Sequence, residues 1–426
     1  MSMIDYDSRP VTPQVLLVGR RASAVGYSIR DFLSRNGVPY EWIEIDDTER
    51  VAAVLPNGEI DAAQLPICIL PSGVRVSPAT LEDVAAGLGM VSAPMLSEYD
   101  LTIVGAGPAG LAASVYAASE GLRAVAIESV APGGQAGTTS LIENYLGFPQ
   151  GISGGELATR ATAQARRFGA EILLARRLTD IAKDGPGYIS TLSDGTTVRS
   201  RTLLLAGGVV WRRLEVPGID ELLGSGVYYG AGPSEAVTCN GCRVAIIGGG
   251  NSAGQAVIRF SRYAAQVTLL VRGSSLEASM SQYLISQLRK LGNVDVRTNT
   301  EVVDLEADGQ LRALVLSSNR SLTRLPADAL FICIGGVPRT KGAAHVGVAL
   351  DAAGYVRTGA DFSSPAGAPG GWELSRQPLP LETNLPGLFA SGDIRSGSIK
   401  RCAAAIGEGS MAVALVHQRL AELGDG

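Results

Sequence analysis

Two glycine-rich runs of the same design fix most of what this chain can fold into. Asp100-Leu-Thr-Ile-Val leads into Gly105-Ala-Gly107-Pro108-Ala109-Gly110, and Arg243-Val-Ala-Ile-Ile leads into Gly248-Gly-Gly250-Asn251-Ser252-Ala253, 143 residues later. In each copy a short apolar run predicts a buried strand, and the residues after the glycines carry helical spacing. A second apolar run follows each helix, Ala124-Val-Ala-Ile-Glu128 and Gln266-Val-Thr-Leu-Leu-Val271. This is the pattern of a duplicated strand–turn–helix–strand unit that cradles a dinucleotide. The first glycine permits a tight turn, the second lets backbone approach a pyrophosphate, and the third position lets helix and strand pack closely. The helix start then offers unpaired N–H groups and a positive dipole end to phosphate. The fold class predicted is α/β with two Rossmann-type domains.

The copies differ where a ribose would be read. Glu128 lies 18 residues beyond Gly110, at the end of its strand, placed to accept ribose hydroxyls. Val271 holds that position in the second copy, followed by Arg272. An acid there suits a free 2′-hydroxyl, and a nearby arginine accommodates a 2′-phosphate. The second site is therefore expected to take NADPH, with NADH possible.

Composition narrows the chemistry. At 426 residues the chain is long enough for about three domains. Five cysteines are too sparse and odd in number for a disulfide framework. Two histidines, His345 and His417, leave little from which to build a hydrolytic triad or a multi-histidine metal site. A net charge of −5 gives no basic footprint for nucleic acid. Met1 to Gln14 is polar, with Pro10 and Pro13, and does not read as a signal peptide. No apolar run approaches the ~18 residues of a membrane span. A cytoplasmic protein without membrane partners is expected.

Further motifs carry a family resemblance: Gly133-Gly134-Gln135, Ile142-Glu-Asn144-Tyr-Leu-Gly147, Ala206-Gly-Gly208, Gly387-Leu-Phe-Ala-Ser-Gly392-Asp393 and Arg401-Cys402-Ala403-Ala-Ala-Ile-Gly407. Together with the two glycine loops, in this order, they resemble the low-molecular-weight thioredoxin reductases over nearly all of 98–426. The resemblance implies an FAD domain in two pieces, 98–213 and 340–426, an NAD(P)H domain inserted at 214–339, and a homodimer. It implies that Gly392 and Asp393 bind the FAD ribitol and pyrophosphate, and that Gly134, Gln135 and Asn144 lie beside the flavin. Arg401, Cys402 and Ala403 would open a helix facing the pyrimidine edge of the ring. A helix start there stabilises negative charge on reduced flavin. Arg272 stands alone where the family carries a denser basic cluster.

One departure bears on mechanism. The family's redox Cys-x-x-Cys falls at positions that read Gly230 and Pro233 here, within Gly226-Val-Tyr-Tyr-Gly-Ala-Gly-Pro. A Cys-x-x-Cys does occur at Cys239 and Cys242, but directly before the strand Arg243–Ile247. Nucleotides bind at the carboxyl ends of such strands. Five residues at ~3.3 Å each put Cys242 roughly 15 Å from that end. No catalytic residue is therefore assigned, and Cys239, Cys242 and Cys402 stand as redox candidates only. The expected reaction is hydride transfer from NAD(P)H to FAD, then electron transfer to a small molecule or a ferredoxin-like redox protein. The pairs Arg166-Arg167, Arg176-Arg177 and Arg212-Arg213 offer a basic docking surface for such a carrier. Three alternatives stay open: a thioredoxin-disulfide reductase using Cys239 and Cys242, a flavin-dependent oxidase, and a non-catalytic redox-sensing flavoprotein.

Residues 1–97 read as a separate unit. Strand signals at Val15–Gly19 and Tyr40–Ile45, a helix at Ala24–Asn36, a hairpin at Leu65–Leu70 and Val74–Val76, and a helix at Thr80–Leu88 follow in that order. The order resembles the thioredoxin/glutaredoxin fold, with Pro66 where that fold keeps a cis-proline. Ser23-Ala-Val-Gly26 stands where redox members carry Cys-x-x-Cys, so a structural or docking role is expected. Near the other end, Asp361 to Pro380 is rich in Pro, Gly and Ser around Trp372. It is a candidate acceptor contact. His417, on the last helix, is expected to serve packing or a dimer surface.

Overall fold

A computed structural model describes residues 14–20, 23–55, 61–139, 142, 145–229, 236, 239–318, 321–362 and 372–424. The chain divides after Val91 into two compact units. In the first, β1 (Val15–Gly19), α1 (Ala24–Arg35), β2 (Tyr40–Glu44), α2 (Thr48–Val54), β3 (Ile67–Ile69), β4 (Arg75–Val76) and α3 (Leu81–Gly87) build one sheet and three helices. The sheet order is β2-β1-β3-β4, with β1 parallel to β2 and antiparallel to β3. Ile29, Phe32 and Leu33 recur at helical spacing on α1 and are fully buried with Val15, Leu17 and Val18 of β1. Ser23 caps α1, its hydroxyl accepting the Gly26 N–H at 3.0 Å. Helix α2 buries Val51 alone, so it leaves no apolar stripe in the sequence. The Leu65–Pro66 peptide is cis.

The second unit holds two large sheets. The first is built from β5 (Tyr99–Val104), α4 (Pro108–Ser119), β6 (Ala124–Ile127), α5 (Gly154–Arg167), β7 (Glu171–Leu173), β8 (Leu178–Asp184), β9 (Gly187–Leu192) and β10 (Thr197–Leu205). The chain then crosses on β11 (Val209–Trp211) into the second sheet. That sheet comprises β12 (Val227–Tyr229), β13 (Arg243–Ile247), α6 (Asn251–Phe260), β14 (Gln266–Leu270), α7 (Gln282–Leu288) and β15 (Val294–Arg297). An antiparallel meander of β16 (Thr300–Ala307), β17 (Leu311–Ser318) and β18 (Ser321–Pro326) precedes its last strand, β19 (Ala329–Ile332). The return runs through β20 (Gly336–Pro338), which pairs antiparallel with β11, then α8 (Lys341–Ala344), β21 (Leu388–Ala390) and α9 (Cys402–Glu422).

Both sheets are Rossmann-type. The first runs β7-β6-β5-β10-β9-β8, and β21 pairs parallel with β10, returning the end of the chain to the sheet with which the unit began. The second runs β12-β19-β13-β14-β15, every pair parallel. Strands covered on both faces call for apolar sequence, and Val244 to Ile246 are apolar and buried throughout.

The basic-docking expectation is corrected at one pair. Arg176 is only 6% exposed. It pairs with Asp194 at 2.7 Å and donates to the Ser92 carbonyl at 2.5 Å. Its guanidinium fastens the start of this unit and is withheld from solvent, since a buried arginine left without partners is costly.

Candidate functional site

The carboxyl ends of β5, β6, β10 and β21 meet at one edge of the first sheet, and five sequence motifs close there. Gly105 adopts φ +103°, and a Cβ on it would lie 2.6 Å from the Ala206 carbonyl oxygen. A Cβ on Gly110 would lie 1.8 Å from the Gly105 carbonyl oxygen. These two positions exclude any side chain because strand, turn and helix already touch there. Gly107 differs. It caps α4 in ordinary extended backbone at φ −73°, and its Cβ would meet nothing closer than the Gly134 Cα at 3.8 Å. The space before the helix is thus kept clear, with Pro108 opening the helix and Ala109 buried behind it. Gly134 completes the wall against Gly107.

Glu128 lies at the end of β6, 7% exposed. One carboxylate oxygen accepts the Ala106 N–H and the other the Val130 N–H, each at 2.9 Å. A carboxylate has about four acceptor positions, so ribose hydroxyls can still be taken. The bonds to both loops explain why an acid is also structurally suited here.

The Ser391 N–H donates to the Leu205 carbonyl at 2.9 Å, setting the Gly392-Asp393 turn beside Ala206. Asp393 has no hydrogen-bonded side-chain partner among the described residues. Burial pushes its pKa up, with Lys400 pulling it back down and Glu408 adding to the rise. Two residues not singled out from sequence hold this turn. Glu408 accepts the Gly392 N–H at 2.7 Å and pairs with Arg395 at 2.5 Å. Lys400 donates to the Asp393 carbonyl at 2.9 Å and lies over the Tyr355 ring at 4.5 Å. The available signal for Glu408 was a lone charge within the small-residue stripe Ala405, Gly409, Ala412 of α9. That stripe lets α9 rest on α4, since a Cβ on Gly409 would lie 2.1 Å from the Ala109 carbonyl oxygen.

Helix α9 begins at Cys402, with Arg401 as its cap. Arg401 and Ala403 are exposed and Cys402 is half-buried. Burial, then the charge of Asp393, raise the Cys402 pKa, so this sulfur is kept as a thiol rather than a nucleophilic thiolate. The Gln135 amide donates to the Val209 carbonyl at 2.7 Å, tying the Gly133-Gly134-Gln135 turn to the crossing strand β11. Asn144, Gly230 and Pro233 lie outside the described residues, as does the 363–371 part of the Pro/Gly-rich segment. Trp372, at its end, donates to the Arg376 carbonyl at 2.5 Å. His417 faces Glu120 at 3.0 Å, joining α9 to α4.

The second glycine loop repeats the geometry. Gly248, at φ +147°, would place a Cβ 2.4 Å from the Cys333 carbonyl oxygen. Gly250 caps α6, and its Cβ would meet only the Ser279 carbonyl oxygen at 3.8 Å. Ala253 is fully buried, and Asn251 and Ser252 are exposed at the helix start. The Asn251 side chain accepts the Ser281 N–H at 2.8 Å, a partner within the chain that competes with any role toward ligand. Arg272 is 85% exposed and only 4.0 Å from Glu301, itself exposed. Such a surface pair holds weakly, which leaves the guanidinium able to turn to an anion. Cys239 and Cys242 lie at the opposite end of β13 from this loop. Among the described residues no group of His, Cys, Asp and Glu could hold a metal ion, and no helix is long and apolar enough to cross a membrane.

The donor set fits a dinucleotide at each loop: two capped helix starts with cleared approaches, the acid Glu128 at the end of the first copy's second strand and the cation Arg272 just after the second copy's. Residues 99–409 match the family model of the pyridine nucleotide-disulphide oxidoreductases. The chain is 33% identical to thioredoxin reductase of Listeria monocytogenes over 324 residues, covering 74% of this chain and 91% of that protein. It is 32% identical to thioredoxin reductase of Bacillus subtilis over 332 residues, covering 76% and 96%. Among solved structures, thioredoxin reductase of Lactococcus lactis superposes with a TM-score of 0.64 at 25% identity, covering 76% of this chain and 99% of that one. That of T. acidophilum gives 0.63 at 28% identity, covering 76% and 99%. The chain belongs to the pyridine nucleotide-disulphide oxidoreductase family, and is a thioredoxin reductase-like flavoprotein oxidoreductase.

Proposed function

We propose that the chain is an FAD-dependent NAD(P)H oxidoreductase whose acceptor is reached without the family's redox dithiol in its usual place. The observation that carries this reading is the pair of cleared helix starts at Gly107 and Gly250, on two sheets joined through β11 and β20. In the proposal, segments 98–213 and 340–426 hold FAD, and 214–339 holds NADPH, with NADH as the weaker nucleotide. When bound, FAD supplies a ring that accepts a hydride and passes electrons on. The backbone at Gly107 and the start of α4 receive the pyrophosphate, and Glu128 takes the adenosine ribose. Glu408 and Lys400 hold the Asp393 turn in register. The start of α9, at Arg401 to Ala403, presents its positive dipole end to the pyrimidine edge. A small molecule or a ferredoxin-like redox protein accepts the electrons. Residues 1–97 serve as a thioredoxin/glutaredoxin-like docking module lacking redox cysteines. The protein is proposed to be a cytoplasmic homodimer.

A second reading, thioredoxin-disulfide reductase acting through Cys239 and Cys242, is favoured by what the relatives are called. One experiment separates the two. The double variant Cys239→Ser, Cys242→Ser is assayed for NADPH-driven reduction of ferricyanide or a quinone, alongside a thioredoxin-coupled assay of the unaltered protein. Full turnover in the variant and no thioredoxin reduction are expected. Thioredoxin reduction that the variant lacks, or loss of all turnover, refutes the dithiol-free reading.

A further inference from the structure

Cys239 and Cys242 close a turn. The Cys242 N–H donates to the Cys239 carbonyl at 3.0 Å, and Gly241 between them takes φ +73°. A four-residue turn keeps its terminal Cα atoms within about 7 Å, and disulfides span about 4.4–6.8 Å. Both side chains also reach the same apolar cluster. Cys239 belongs to the buried cluster with Val244, Val257 and Phe260, and Cys242 packs against the same cluster.

The two sulfurs are unequally accessible: Cys239 is 6% exposed, whereas Cys242 is half-buried and within reach of solvent. Neither is in a disulfide. The turn is braced from outside, the Gly241 N–H donating to the Tyr263 carbonyl at 3.0 Å and the Ala265 N–H to the Cys242 carbonyl at 2.9 Å. An exposed thiol beside a buried one is the arrangement in which the first attacks an incoming disulfide and the second resolves the mixed disulfide.

We propose that Cys239 and Cys242 are a reversible dithiol–disulfide couple, addressed from solvent through Cys242 by low-molecular-weight disulfides and separate from the electron path of the nucleotide sites. The Cys242 thiol loses its proton, and its thiolate attacks one sulfur of a disulfide R–S–S–R. A Cys242–S–S–R bond forms and one RS⁻ leaves. The Cys239 thiolate then attacks the Cys242 Sγ, breaking that bond and expelling the second RS⁻. Two electrons pass from the cysteine pair to the added disulfide, and the two protons released by the cysteines protonate the two departing thiolates. Separation from the nucleotide follows from β13, which intervenes between Cys242 and Gly248 and is roughly 15 Å long at ~3.3 Å per residue.

The test equilibrates the full-length native protein with mixtures of oxidised and reduced glutathione, quenches with acid, alkylates, and reads the peptide holding both cysteines by mass. As the oxidised fraction rises, that peptide is expected to become lighter by two hydrogens and to resist alkylation. Cys239→Ser should instead accumulate glutathione on Cys242. Anaerobic NADPH should leave the disulfide of the unaltered protein intact. The couple is refuted if the unaltered protein stops at a glutathione adduct on Cys242 at every mixture. Reduction of the disulfide by NADPH at the rate of acceptor turnover refutes its separation from the nucleotide sites. The first readout needs no variant, so a misfolded substitution cannot shelter the proposal.

Discussion

Valine at position 107 meets almost nothing inside the protein, whereas valine at position 110 meets backbone. Gly107→Val places its Cβ 3.8 Å from the Gly134 Cα, at a φ of −73° that any residue adopts. Glycine is a tolerated helix cap and valine a poor one, so the cost to folding is about 1 kcal/mol or less. The same side chain fills the approach to the first N–H groups of α4. A charge-assisted hydrogen bond contributes about 1.5–3 kcal/mol, and losing two of them weakens a pyrophosphate ligand by about 10²- to 10⁴-fold. Gly110→Val instead drives a Cβ to within 1.8 Å of the Gly105 carbonyl oxygen, and overpacking of this kind costs about 3 kcal/mol or more. The assay measures the flavin-to-protein absorbance ratio after desalting, with thermal unfolding followed by circular dichroism. Gly107→Val is expected to be folded and nearly colourless, and Gly110→Val poorly folded. Full FAD content in folded Gly107→Val refutes the assignment of the first loop. Equal destabilisation of the two variants refutes the distinction drawn between the glycines.

Three further outcomes follow from charges. Arg272→Ala is expected to weaken NADPH about tenfold, as one charge-assisted contact implies, while sparing NADH; flavin reduction titrated with both nucleotides checks it, and an equal effect on each excludes Arg272 as the 2′-phosphate reader. Arg376 pairs at 2.6 Å with Glu382, which is fully buried. Arg376→Ala strands that charge against two remaining backbone donors, Leu379 and Gly387, and is expected to cost about 3 kcal/mol in urea denaturation; a change under about 1 kcal/mol shows the pair to be dispensable. Burial raises the pKa of Asp100, but its hydrogen bonds to Arg123 and the charges of Arg123 and Arg201 outweigh this, and the net shift is downward. A depressed carboxyl stabilises the fold above its unfolded pKa of about 4, and that stability is lost as pH falls through the lower folded value. Arg123 is half-exposed, so the gain is about 1 kcal/mol; Asp100→Asn should flatten the acid limb of stability against pH, and an unchanged limb refutes the coupling.

The glycine loops and their strands were legible because their rules are local. A turn that only glycine can make, a helix that must start next to phosphate, and an acid one strand later all lie within 30 residues of each other. The same locality located α1 through Ile29, Phe32 and Leu33, and it missed α2, which buries one residue and has no period to read. Tertiary structure decided everything that depends on which chain segments meet. Sequence offered Arg176-Arg177 as a basic surface, and folding buried Arg176 against Asp194 and the Ser92 carbonyl, partners 18 and 84 positions away. It gave no reason to choose Lys400 and only a lone charge among small residues at Glu408, whose roles arise because β21 returns to β10 and brings α9 onto α4. Local spacing constrains one element at a time; a buried charge finds its partner through the packing of several, and no single stretch of sequence records that meeting.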